Sequence, residues 1–312
     1  MTKPFIIWTA RRTGGTNLAD NLFDLSELQF GYHEPFNWER DFGYLSKELH
    51  ESKDFGKFQS DLRSLLETKP MIKHCVELCS PEFNHELARV SDELGYNHLF
   101  LYRRTATDRL LSLNFASKTG IWGKEDRYKL EYAEYESDID VKSMISDEKY
   151  IRDSFSQVFS ILSDSKNKVY CACFEDIYLS DIIPTEHLHT ILVELSGCSN
   201  SAANDVIPTL VRKGSQKTNQ LYKKYPNTDE LIKEAEILGE YHPFTYFDLD
   251  TCSEVKPNWR DLQSLRDYGI YISRNNPHKA LSILEAISKE YWSGDIIQNA
   301  ILDIKKNLIN DD

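Results

Sequence analysis

The sequence is short of several features that would place it at once. Its six cysteines include no CxxC pair, so thiolates at zinc spacing are missing and no metal is expected. All six read as reduced thiols, the usage of a cytoplasmic protein. No apolar run approaches the ~20 residues of a membrane span. The first residues lack the basic start, long apolar run and small-residue cleavage site of a signal peptide, which again points to the cytoplasm. Basic residues are outnumbered, 37 Lys and Arg against 50 Asp and Glu, for a formal net charge of −13. With no basic stripe to offset that balance, nucleic acid is not the expected partner. There is no GxxxxGK[ST] loop for a nucleoside triphosphate, no internal repeat and no low-complexity tract.

What is present begins at the N-terminus. Phe5 to Trp8 is a short apolar segment that reads as a buried strand. It runs into Arg11-Arg12-Thr13-Gly14-Gly15-Thr16-Asn17, and an amphipathic helix follows. Strand, basic glycine turn and helix start together can hold a phosphate or sulfate. Glycine lets the backbone approach closely, the free N–H groups of the first helical turn point at the anion, and arginine adds forked donors. An ordinary strand-to-helix turn with Thr16 as N-cap fits the same residues.

Further strands are expected at Met71–Cys75, Leu99–Tyr102 and Lys168–Phe174. Helices are expected at Thr16–Asp24, Gly56–Leu66, Pro81–Leu94, Thr107–Lys118 and Tyr150–Leu162. Apolar strands alternating with helices imply a parallel sheet covered on both faces, with its ligand beyond the carboxyl ends of the strands. The chain changes character near Cys252–Pro257. Residues 1–251 are expected to form the main domain. Residues 252–312 are expected to form a helical extension, with amphipathic helices at Trp259–Tyr271, His278–Tyr291 and Gly294–Leu308. Their apolar stripes suit packing on the main domain or on a second copy in a homodimer.

Two more basic clusters follow the first. Arg103 and Arg104 close a strand, and Ser112 stands eight residues after Arg104. Arg212-Lys213-Gly214-Ser215 comes later, with Lys217 behind it. In order and spacing, these clusters resemble the sulfotransferases that use 3′-phosphoadenosine 5′-phosphosulfate (PAPS), most closely the bacterial carbohydrate branch acting on trehalose, lipopolysaccharide and nodulation-factor sugars. The resemblance spans roughly Phe5 to Lys217. It implies a P-loop-like three-layer αβα fold and PAPS as sulfuryl donor. It assigns the 5′-phosphosulfate to Arg12, Thr13, Gly14, Gly15 and Thr16, and Arg11 and Asn17 at the two ends of the same turn join them as candidate cofactor contacts. The 3′-phosphate falls to Arg104 and Ser112, with Arg212, Lys213 and Gly214 closing over it. Phe174-Glu175-Asp176-Ile177 is similar to a family segment whose acid is structural. Gly15 departs from the usual Ser or Thr, and Ala106 from a common proline.

The chemistry sets its own demands. Moving a sulfuryl group from a phosphate to a hydroxyl needs cations where charge builds on the leaving group, and Arg12 is the candidate. The acceptor hydroxyl also needs a base within ~2.6–3.2 Å. Glu34, in His33-Glu34-Pro35-Phe36, is the first choice, and partial burial there would raise its pKa towards neutrality. His74 at a strand end is the alternative base. Neighbouring Lys73 suits a sulfate contact or is only a strand-end charge. Trp38, Trp122, Tyr128, Tyr132 and Tyr135 suit stacking on sugar rings or ordinary packing. The acidic chain favours a neutral carbohydrate or small-molecule acceptor. Two other classes remain open on the sequence: a P-loop-related small-molecule kinase, and a non-catalytic nucleotide-binding scaffold.

Overall fold

The computed structural model describes residues 2–123, 125–132, 135–163, 165–179, 185–211, 219–243, 266, 269–270, 273, 277–290 and 295–310. Arg212, Lys213, Gly214 and most of the helix expected at Trp259–Tyr271 lie outside the described residues.

Five strands form one sheet: β1 (Phe5–Thr9), β2 (Gly31–His33), β3 (Met71–Cys75), β4 (Asn97–Tyr102) and β5 (Val169–Cys173). Every pairing is parallel, in the order β2-β3-β1-β4-β5. The strand residues explain why. β1, β3 and β4 are buried along their whole length and carry apolar side chains towards both faces, as a sheet covered on two sides requires. Phe5, Ile7, Leu99, Leu101 and Ala172 pack with α1 (Gly15–Leu25), α8 (Thr185–Ser196) and α9 (Asn200–Leu210). Ile6, Trp8, Ile72, Phe100 and Tyr102 point the other way, against α3 (Phe55–Glu67), α4 (Pro81–Glu93) and α6 (Val141–Leu162). The protein is thus α/β, a parallel sheet between two layers of helix. The shorter helices α2 (Gly43–Ser52), α5 (Thr107–Thr119), α7 (Phe174–Tyr178), α10 (Asn219–Tyr222) and α11 (Thr228–Ile237) complete the layers and the carboxyl-end loops.

The last two helices, Pro277–Glu290 and Asp295–Asn310, join through Glu285 and Lys305 at 2.6 Å. Their Ala280, Leu284, Ile287, Ile297, Ile301 and Ile304 belong to the same apolar cluster as Trp8 and Phe100. Among the described residues, no helix is long and apolar enough to cross a membrane, no cluster of His, Cys, Asp and Glu could hold a metal ion, and the five cysteines are free thiols.

Several boundaries differ from the sequence reading. β2 and α2 were not foreseen. α6 starts at Val141 rather than Tyr150, because the Asp140 carboxylate accepts the Ser143 N–H at 3.0 Å and caps the helix there. The N-cap of α1 is Gly14, not Thr16.

Candidate active site

The chemistry-bearing residues gather at the carboxyl ends of the strands. The turn after the central strand β1 is shaped by two left-handed residues, Arg12 at φ 67° and Gly14 at φ 76°. Gly14 has to be glycine twice over. Its φ disfavours a side chain, and a Cβ there would stand 2.8 Å from the Phe174 ring. The eleven-residue α1 has Gly14 as its N-cap, with no side chain to cap the first turn. Its leading N–H groups and the positive end of its dipole therefore face the space above β1, an arrangement that suits an anion.

The arginines around this turn do unequal things. Arg11 is tied down: its N–H and its Nε donate to Glu77 Oε1 at 2.7 and 3.2 Å. Arg12 reaches across the site, donating through Nε to Ser112 Oγ at 2.8 Å and through Nη1 to the Trp122 carbonyl at 2.9 Å. Arg104 sits in a bidentate pair with Asp176, at 2.7 and 2.9 Å. Glu175 accepts the Arg104 N–H at 2.9 Å and so fixes the loop after β4, a structural use of that acid. Arg104 and Ser112 therefore have different partners here. Arg103, which the sequence groups with Arg104 but to which it gives no role, stands over the Phe174 ring, 3.7 Å from its centroid. Among the described residues, the buried Arg103 Nε has no hydrogen-bond partner. Burial lowers its pKa, with Arg12 adding to that and Glu175 and Asp108 opposing it. A desolvated guanidinium beside the turn is chemically suited to pair with an anion. Only its place just past the end of β4 could have marked Arg103 in the sequence.

Glu34 follows β2 directly. Its N–H donates to the Lys73 carbonyl at 2.7 Å, extending the ladder by one step, and a left-handed φ of 50° then turns the chain away. Its carboxylate pairs with the Lys73 ammonium. Lys73 faces α1 and reaches Thr16 Oγ1 at 3.5 Å, so the pair abuts the first turn of that helix. Burial pushes the Glu34 carboxyl up, as expected, but Lys73, Cys75 and Arg40 together outweigh it. The result is a pKa below the ordinary carboxylate value, contrary to the sequence reading.

His74 points to the opposite face of the sheet. Its ring is buried among Trp8, Phe36 and Phe83, with Nε2 bonded to Asn84 at 2.7 Å. Burial holds its pKa at about 4, against a weaker lift from Asn84. The structure makes it a core histidine, away from the turn. The Asn17 side chain is likewise occupied, donating to the Leu210 carbonyl at 3.0 Å. Thr13 is buried, and Thr16 accepts from Lys73 instead of capping the helix. Trp122 is 42% exposed with Arg11 5.9 Å from its ring centroid, and Trp38 is 44% exposed against His50, whereas Tyr135 packs on Phe115 and Tyr225.

No family model, curated protein or solved structure matches this chain.

Proposed function

We propose that the protein is a PAPS-dependent sulfotransferase of P-loop-like fold, acting on a hydroxyl of a carbohydrate or small-molecule acceptor. One observation carries the reading. A helix start with glycine as N-cap and an arginine turn stand at the carboxyl end of the central strand, with the Glu34–Lys73 pair against the same helical turn. Beside them, the buried Arg103 Nε, unpaired among the described residues, fits a ligand with a second anionic group.

When bound, PAPS supplies a sulfuryl group on a phosphate. In this reading the N–H groups of Gly14 to Asn17, the Thr13 and Thr16 hydroxyls and Arg12 hold its phosphosulfate end. Arg104 and Ser112 hold the 3′-phosphate, with Arg103 beside them. Arg12 meets the charge that develops on the leaving phosphate. Glu34, kept ionised by Lys73, accepts the proton of the acceptor hydroxyl. Trp122 and Trp38 offer faces for a sugar ring.

The test is a melting assay followed by transfer. Adenosine 3′,5′-bisphosphate should raise the melting temperature and ATP should not. Labelled sulfuryl groups should then pass from PAPS to neutral sugars. Stabilisation by ATP with magnesium alone would move the protein to the kinase class. Bisphosphate binding with no transfer to any hydroxyl in a cell extract would make it a binding protein.

A further inference from the structure

Arg11 is held from both sides. Glu77 takes its N–H and its Nε, and Arg109 Nη1 donates to its carbonyl at 3.3 Å. The peptides before and after Arg11 are thus both fixed by charged side chains from outside the turn. Glu77 sits in the 3-10 turn Val76–Leu78 after β3, and Arg109 on α5. Behind Arg109 lies Glu148 of α6, which pairs with it and accepts from Arg152 Nε at 3.0 Å. Arg152 is moored in turn on the Leu238 and Gly239 carbonyls, both at 3.2 Å. Glu77, Arg109 and Glu148 are almost fully buried, where charged hydrogen bonds act with little screening. Among the described residues, nothing donates to the buried second oxygen of Glu77. A carboxylate left half-satisfied in the interior needs a reason to be there; among the described residues its hydrogen-bond partner is Arg11, with the Arg109 charge close by.

We propose that Glu77 and Arg109 are positioning residues that act through Arg11. Glu77 fixes the peptide before Arg11 and its side chain, Arg109 fixes the Arg11–Arg12 peptide, and together they hold Arg12 in its left-handed conformation and so aim its guanidinium across the site before any ligand arrives. A non-glycine residue at φ 67° does not stay there unless its surroundings over-determine it. Here the peptide is fixed on one side and the guanidinium on the other, by Ser112 and Trp122. The inference rests on the turn being an anion seat.

The experiment is a double-mutant cycle read by the Kd of adenosine 3′,5′-bisphosphate. The four proteins are the parent, Glu77→Ala, Arg12→Ala and the double variant. Loss of a charged hydrogen-bond partner should weaken binding about 10- to 100-fold in Glu77→Ala. Beside Arg12→Ala the same change should cost less than about threefold, because the group it positions is gone. Glu77→Gln keeps an acceptor without the charge. It should be intermediate in the parent and silent beside Arg12→Ala, and it carries the test if Glu77→Ala does not fold. Losses that multiply in the double variant would show that Glu77 serves the fold at large and overturn the proposal. A parent that binds no bisphosphate would overturn both the anion seat and the clamp, whereas a binding parent with an unaffected Glu77→Ala would overturn the clamp alone.

Discussion

Gly14→Ala puts the architecture of the turn to a numerical test. The left-handed φ of 76° costs an L-residue about 1–2 kcal/mol. The new methyl would also lie 2.8 and 3.0 Å from two atoms of the Phe174 ring and 3.1 Å from Tyr178. Overpacking of that kind costs about 1–3 kcal/mol, so the expected loss of stability is roughly 2–5 kcal/mol by urea unfolding. Two consequences separate the parts. Adding Phe174→Leu to Gly14→Ala should return the steric share, a coupling of about 1–3 kcal/mol, and leave the backbone share in place. Because Arg103 is stacked on the same ring, Gly14→Ala should also weaken bisphosphate binding by more than its stability loss explains. Stability within ~0.5 kcal/mol of the parent would refute the close approach of ring and turn. A full loss with no coupling to Phe174 would show that the ring is not what the methyl meets.

Glu34→Gln should lower turnover by ~10²–10⁴ with little change in bisphosphate affinity. Because Lys73 depresses the Glu34 pKa, the parent should still be near its plateau rate at pH 6; an acid limb centred near pH 7 would point to another base. Asp176→Asn should release Arg104 and tighten adenosine 3′,5′-bisphosphate more than an analogue lacking the 3′-phosphate; equal effects on both would leave Arg104 a purely structural role. Stability should also fall in acid. His74 and His98 are buried, with folded pKa values of about 4 against an unfolded value near 6.5, so the unfolded chain takes up protons first. Their contribution is complete above about pH 6.5 and is lost between pH 6.5 and 4, each histidine accounting for about 3 kcal/mol. A flat unfolding free energy across that window would contradict their burial as neutral groups.

Four of the five strands were readable because each is a run buried on both faces. β2 was not, since Gly31, Tyr32 and His33 are partly or fully exposed on the sheet edge and carry no apolar pattern. That omission hid the Glu34–Lys73 pair, which depends on the β2–β3 register setting His33 opposite Lys73. The anion turn was legible because its residues are consecutive. Its partners were not: Ser112, Trp122 and Glu77 reach Arg11 and Arg12 from distant parts of the chain, and no spacing encodes that. Likewise Arg103 and Arg104 look alike in sequence. One stacks on an aromatic ring and the other pairs with a carboxylate, because just past the end of β4 the two side chains meet different residues of α7, directly after β5.

The position of β1 gives the two halves of the site different lifetimes. β1 is laddered on both edges, by β3 and β4, so freeing the turn requires two rows of hydrogen bonds to part. Amide exchange at Ile6 to Trp8 should therefore report only global opening. β2 has three residues and one neighbour, and Glu34 hangs from its end. Fraying at that edge would carry the carboxylate off while leaving the seat beside β1 intact. The protein would then pass through states that hold an anion yet cannot take a proton from an acceptor, and warming should erode turnover before it erodes binding.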